Sequence, residues 1–330
     1  MKKFVKSDIL GPLTAFLVIF LLATVTTPQF CTLANMRNQI LQICVTAFLA
    51  IGATMVILTG GIDISCGAAV AMLTMTFAAM CNFWGFSVWA SMGMTLVFAV
   101  LMGLLNGVLV ACVRIPPFIA TLATQGIFRG IAFMINNGSA LNRLADVAEA
   151  IFYTKIFGVI PITLLYILVA YAAVYLLLKY TQLGRKIYAV GGNASAAKLS
   201  GINVNQVLLV SYVLAGLFTG IAAILMACRL NSGSQTYGSG MEMSAIAAAV
   251  IGGASMSGGK GNIVSTFIGA ATVLVVQNVL NLNSIATSFQ YIANGIMILI
   301  AVSLDIWRPQ MASLIKKISR SGKSTLSIGA

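Results

Sequence analysis

Few residues in this chain can do chemistry. It has no histidine, so the usual general base, proton relay and commonest metal ligand is missing. Its cysteines, Cys31, Cys44, Cys66, Cys81, Cys112 and Cys228, form no CxxC or CxxH cluster. Several fall inside apolar runs, where a thiol acts as a small hydrophobe, so neither a disulfide framework nor a metal site is expected. A phosphate loop is imitated twice. Gly322-Lys323-Ser324-Thr325 has Lys317 where the earlier glycine belongs, and Lys260 is followed by Gly261 rather than Ser or Thr. Neither is a nucleotide site. Two glycine-rich strings remain: Gly60-Gly61-Ile62-Asp63-Ile64-Ser65-Cys66-Gly67, and Gly252-Gly253-Ala254-Ser255-Met256-Ser257-Gly258-Gly259-Lys260-Gly261. With Gly60 set on Gly252, both read Gly-Gly-x-x-x-Ser-x-Gly. In an apolar chain, irregular backbone is tolerated only where it lines a cavity or packs inside protein, so the pair points to a pathway or gating element. The plainer reading is a pair of tight turns in which glycine supplies positive φ. Asp63 and Ser65 could each cap the helix that begins near Gly67, and capping is the first reading of Asp63.

The elements that position these residues are membrane spans. The chain has 330 residues, 60% hydrophobic and only 8% charged, with mean hydropathy +1.01. Soluble domains carry roughly 25% charged residues, so soluble, fibrous and disordered classes are excluded. Ten apolar segments lie near 9–26, 39–59, 68–82, 88–113, 118–136, 161–178, 207–230, 244–257, 262–281 and 287–306. In lipid each must be helical. The expectation is one all-α transmembrane bundle over 1–330, with a membrane core at 9–306 and a basic tail at 307–330. The N-terminus resembles a signal peptide, but its apolar run is long for one and reads as an uncleaved first span. The formal charge of +13 reads as positive-inside bias at the membrane rather than nucleic-acid binding. Both termini in the cytoplasm puts Lys2, Lys3, Lys6, Arg114, Lys179, Arg185, Lys186, Lys198, Lys260 and the tail inside. It puts 137–160, with Asp146 and Glu149, and 231–243, with Glu242, outside.

The longest internal cytoplasmic stretch is then 179–206. Asn193 is a good N-cap, Ala194 to Leu199 are good helix formers, and Gly201 fits a C-terminal cap. A two-turn helix is expected between Gly191-Gly192 and Gly201. Its small, apolar surface suits a protein groove better than lipid.

Three strings carry a family resemblance: Thr59-Gly60-Gly61-Ile62-Asp63-Ile64-Ser65; Ile187 to Asn193 running on through Ala197-Lys198-Leu199-Ser200-Gly201-Ile202 to Asn205; and Val250-Ile251-Gly252-Gly253 with Ser257-Gly258-Gly259-Lys260-Gly261. From about Phe30 to Asp305 the chain resembles the permease subunits of bacterial monosaccharide ABC importers, most nearly the ribose branch. It departs at Cys66, where the family usually has Val or a similar residue, and at Ala68, usually Ser or another small residue. The resemblance implies an inner-membrane subunit that pairs with a second permease copy, identical or not. It also implies a separate ATP-binding-cassette ATPase subunit, which uses ATP and Mg, and a periplasmic sugar-binding protein. No cofactor is expected on this chain and no enzymatic step of its own. The family's ATPase-contacting loop falls on Gly192, Asn193, Ala196, Ala197, Leu199 and Gly201. Sugars carry many hydroxyls, so the path should offer amides and aromatic faces. Candidate amides inside spans are Gln42, Asn106, Gln125, Asn278 and Asn294, with Trp84 and Trp89 near an outer end. Each amide serves equally well as an interhelical hydrogen bond. Arg129 is the costliest intramembrane charge and needs a carbonyl, a carboxylate or water. A related furanosyl signal molecule of the autoinducer-2 type is an alternative cargo. An ion-coupled secondary sugar transporter is a weaker alternative, because of six acids only Asp63 lies near a plausible path. A membrane enzyme lacks the catalytic residues.

Overall fold

The structure, a computed structural model, describes residues 2–144, 146–158, 160–286, 288–300 and 302–303. Asp305, the tail at 307–330 and the Gly322–Thr325 string lie outside the described residues. Every one of the ten apolar segments carries helix. They are α1 (Lys2–Thr26), α2 (Leu33–Ile57), α3 (Cys66–Asn82), α4 (Val88–Ala111), α5 (Pro117–Met134), α7 (Ile162–Tyr180), α10 (Val204–Leu230), α11 (Met241–Ile251), α12 (Ile263–Leu282) and α13 (Ser288–Ile300). Six of them, α1, α2, α4, α7, α10 and α12, are long and apolar enough to cross a membrane. Gln125 and Arg129 dilute α5, and α3, α11 and α13 are shorter. The connections add α6 (Asp146–Tyr153), α8 (Gln182–Gly192) and α9 (Ala194–Leu199). They also add two small antiparallel pairs, β1 (Leu141–Asn142) with β4 (Ser232–Gly233) and β2 (Lys155–Ile156) with β3 (Ile160–Pro161).

Helix starts follow local chemistry. Thr32, Ser87, Asn203 and Asn262 each accept a backbone N–H from the first turn of α2, α4, α10 and α12. Asn231 ends α10 in the left-handed region, at φ 49°. The bundle centres on α2, buried without a break from Ile43 to Ile57, and on α10, which packs most extensively on α4 and α2. In the α4–α10 contact Gly103 meets Gly216, while Gly107 lies against Leu209 and Tyr212 and Gly220 against Ala99. A Cβ on Gly216 would come 2.8 Å from the Gly103 Cα. Small residues four apart on both partners let the helices meet backbone to backbone, the packing that lipid favours. The first span, α1, is largely exposed and leans on α12 through Phe16, Phe20 and Ala23 with Val275 and Val279.

Two helices begin inside the bundle. Residues 58–65 leave the end of α2 and run inward before α3 starts. Residues 231–240 enter from the opposite end, alongside α3. Gly233 lies against Thr74 and Ala78, and Gly238 against Gly67 and Val70. The starts of α3 and α11 therefore meet in the interior, and the two helices run to opposite ends. The segment expected as an outside loop at 231–243 is for most of its length interior backbone. The segment expected to span at 244–257 is α11, which stops at Ile251 because Gly252 and Gly253 turn the chain.

Candidate functional site

At one end of the bundle three glycine-rich segments close on each other. α8 precedes the expected two-turn helix and was not foreseen. Thr181 caps it, accepting from the Gly184 N–H at 3.2 Å, and Gly184, Ile187 and Val190 form its buried face. Its period of three to four with Arg185 and Lys186 outward makes it amphipathic. Gly191 and Gly192 are its last turn rather than a break. Then comes α9, with Asn193 accepting from the Ala196 N–H at 2.9 Å and Gly201 at φ 82° beyond it.

The last turn of α8 presses on both glycine strings. The Gly259 N–H donates to the Leu58 carbonyl at 2.9 Å. A Cβ on Gly191 would overlap that same carbonyl oxygen and come 2.5 Å from the Gly259 nitrogen. A Cβ on Gly258 would come 2.7 Å from the Gly191 oxygen and 2.8 Å from the Gly60 nitrogen. The Tyr188 hydroxyl donates to the Gly261 carbonyl at 2.9 Å. Gly60, Gly191, Gly258 and Gly259 thus form one backbone-to-backbone node, and Ser257 reaches it through its carbonyl beside Gly60. Within it Gly60, Gly258 and Gly259 have positive φ, and Gly253 has φ 89° just outside. Gly61, Gly67 and Gly252 have ordinary φ and owe their identity to space. A Cβ on Gly61 would sit 2.9 Å from the Tyr212 hydroxyl, and one on Gly252 2.6 Å from the Ser265 carbonyl.

In the interior, Asp63 does not cap α3 directly. Its Oδ1 accepts the Ser65 N–H at 2.8 Å and the Ser65 hydroxyl at 2.6 Å, and Ser65 stands at the cap position without a side-chain cap bond. Ser65 Oγ accepts from the Asn106 amide at 2.8 Å, and Asn106 Oδ1 accepts from Thr124 Oγ at 2.7 Å. This buried chain ties the inward run to α4 and α5. Arg129 donates to the carbonyls of Gln235 at 2.6 Å and Tyr237 at 2.9 Å, so the costly charge is what satisfies the backbone of the second inward run. Glu242, in the first turn of α11, is buried, with Oε2 against Gly67 and unpartnered among the described residues. A second acid therefore lies inside the bundle, and Asp63 is not alone there.

Comparison with known proteins gives the family. Residues 35–302 match the profile described as the branched-chain amino acid transport system permease component. The chain belongs to this family. The profile covers α2 through to the last described residues, close to the extent of the resemblance in the sequence. The permease is 38% identical over 299 residues to the ribose import permease of Escherichia coli K12, covering 89% of this chain and 92% of that one. It is 36% identical over 305 residues to the ribose import permease of Bacillus subtilis, covering 90% and 92%. It is 34% identical over 302 residues to the L-arabinose transport system permease of Escherichia coli K12, covering 91% of each. No solved structure matches it significantly. This multi-pass protein is an inner-membrane permease subunit of a sugar importer.

The five amides singled out in the sequence divide by environment. Asn278 and Asn35 exchange amide bonds at 2.9 Å, and Gln39 donates to Asn278 at 3.2 Å, so this amide knits α12 to α2. Asn106 belongs to the Asp63 network. Asn294 donates to Ser244 at 3.4 Å and accepts from Gln277 at 3.3 Å beside a polar cavity. Gln42 and Gln125 are half-buried and make no side-chain hydrogen bond among the described residues. Trp84 and Trp89 are exposed. On and beside α9, Gly192, Asn193, Ala196, Leu199 and Gly201 face outward, whereas Ala197 turns into the chain and is buried.

Proposed function

We propose that this permease imports a ribose-like monosaccharide, received from a periplasmic binding protein, and that two copies bind cytoplasmic ATPase subunits through α9. ATP and Mg belong to that partner, and this chain has no catalytic step of its own. The reading includes ten spans with both termini in the cytoplasm. The sugar is favoured over an amino acid by the relatives that match nearly the whole chain, which import ribose and arabinose. The ion-coupled alternative loses its sequence objection once Glu242 is seen inside, and family membership is what now weighs against it.

One observation carries the coupling role. α9 offers Leu199, 90% exposed, at the end of a six-residue helix whose neighbour α8 is locked to both glycine strings. On a cytoplasmic loop, a leucine so exposed would find no lipid to cover it, and a protein groove would supply the cover. A push on α9 would then reach the ends of α2 and α11 through backbone contacts alone.

The test is Leu199→Asp. Burial of a leucine is worth about 1.5–3 kcal/mol, so co-purification of the cognate ATPase subunit should fall at least about tenfold, with loss of transport-stimulated ATP hydrolysis. The variant should insert and melt like the wild type, because the side chain touches little of its own chain. Wild-type association and turnover would sink the assignment.

A further inference from the structure

The interior start of α11 opens onto a cavity of about 140 Å³. Ser244 and Met241 of α11, Gln277 of α12, Gln290, Tyr291 and Asn294 of α13 surround it, with Thr46 from the middle of α2 behind. Gly240 at φ 76° makes the wall possible, because the Tyr291 ring packs where a Cβ would stand, 2.7 Å from its Cε1. Two other cavities among the described residues differ in kind. The one beside Asp63 is about 10 Å³, room for a single water, and the one between α7 and α12 is about 430 Å³ but almost wholly apolar.

The polar atoms around the first cavity are only partly used. Gln277 Nε2 donates to Ser244 Oγ at 3.1 Å and to Asn294 Oδ1 at 3.3 Å, and Gln290 Nε2 donates to Asn281 Oδ1 at 2.7 Å. The amide oxygens of Gln277 and Gln290 and the hydroxyls of Tyr291 and Thr46 have no hydrogen-bond partner among the described residues. Each amide carries both acceptor and donor, and each hydroxyl can do either. That mixture suits a solute whose own groups both donate and accept. No charged side chain is among the described residues that line the cavity. A zwitterion or a phosphorylated solute would lose its hydration there without a counter-charge, at heavy cost. Met241 and the Tyr291 ring add an apolar face for C–H groups. The volume admits one small ring and no more.

We propose that this cavity is a subsite for a neutral monosaccharide on the transport path, with the Gln277 and Gln290 oxygens accepting sugar hydroxyls and Tyr291 and Thr46 completing the set. It rests on the sugar reading above and deepens it. The subsite lies where a helix begins inside the membrane, the kind of position at which discontinuous helices place transported solutes.

The experiment uses the complete transporter with its ATPase and binding protein. Uptake of D-ribose, L-arabinose and D-allose is measured first with the unaltered permease. Ser239→Cys, at the cavity edge, is then alkylated, and the rate is followed at that peptide by mass spectrometry so that native cysteines do not interfere. Met241→Cys, which supplies none of the proposed hydrogen bonds, serves the same purpose if the first variant fails to fold. Protection follows mass action, so a transported sugar at ten times its Kd should slow alkylation about tenfold. L-leucine at the same concentration should not, and Gln277→Met added to the cysteine variant should abolish the protection. Sugar uptake without sugar protection at either cysteine overturns the subsite and leaves the sugar reading standing. Equal protection by L-leucine overturns the neutral-ligand assignment. Import of none of the three sugars overturns both.

Discussion

Gly191 and Gly192 are neighbours in the last turn of α8, yet replacing each with alanine should have opposite consequences. At Gly191 the new methyl would overlap the Leu58 carbonyl oxygen and stand 2.5 Å from the Gly259 nitrogen, between the two atoms of a 2.9 Å hydrogen bond. Backbone is on both sides, so no flexible side chain can yield. Overpacking costs about 1–3 kcal/mol, and a broken, buried backbone bond adds about 1 kcal/mol. Gly191→Ala should therefore cost about 2–4 kcal/mol in total, concentrated at the node. At Gly192 nothing lies within 4 Å of the added carbon. Alanine there should be neutral, or gain up to about 1 kcal/mol from lower chain entropy. Both variants would be melted in detergent and assayed for sugar uptake in membranes. The expected result is a lower melting temperature and strongly reduced uptake for Gly191→Ala, with Gly192→Ala matching the wild type. Equal behaviour of the two would refute the apposition of α8 to the glycine strings.

Three further expectations follow from the interior. Gly67→Ala should destabilise by about 2 kcal/mol, since its Cβ would overlap both the Glu242 carboxylate and the Gly238 carbonyl. Adding Glu242→Ala should restore only part of the melting temperature, because the Gly238 backbone stays, and full rescue would assign the clash to Glu242 alone. Arg129→Met should cost about 3 kcal/mol by stripping charged donors from the Gln235 and Tyr237 carbonyls, with Arg129→Lys milder; an unchanged melt would remove Arg129 from the support of the second inward run. Accessibility labelling should find Lys198→Cys and Lys260→Cys in the cytoplasm and Glu149→Cys outside, and periplasmic labelling at 198 would invert the orientation.

Long apolar runs made the main helices legible, and Asn193 with Gly201 made α9 legible, because each is encoded locally. The site was legible only in pieces. Matching the two Gly-Gly strings suggested equivalent segments, and they do meet at Leu58 and Gly259. The counterpart of the inward run at 58–65 is instead 231–240, whose Asn231-Ser232-Gly233-Ser234 composition reads as a solvated turn. What makes that run interior lies far away in the chain. Arg129 takes two of its carbonyls, Gly138 accepts from the Gln235 amide, and the β1 strand pairs with Ser232 and Gly233. No window of sequence holds both partners. For the same reason Glu242 read as a solvated acid near a loop, and the cost of burying it is visible only beside Gly67. At Ala197 the small side chain suggested a partner's groove, but in a six-residue helix one face must rest on its own chain. The alanine takes that face and Leu199 the other.

On the coupling role proposed above, the arrangement explains why glycine dominates at the node. A side-chain contact between α8 and the strings could slip through rotamers, and a displacement would be absorbed. At Gly191, Gly258 and Gly259 the backbones touch directly, and the Gly259 N–H to Leu58 carbonyl bond spans the two strings. A shift of α8 must therefore move the end of α2 and the turn after α11 together, or break that bond. The far end of α11 holds Gly240 against Tyr291 and Glu242 against Gly67, where the two inward runs meet. α11 is only eleven residues long, about 16 Å at 1.5 Å per residue, too short to bend appreciably. Displacement at its Gly252 end is carried rigidly to the interior end, where the starts of both inward-beginning helices would have to separate or rotate.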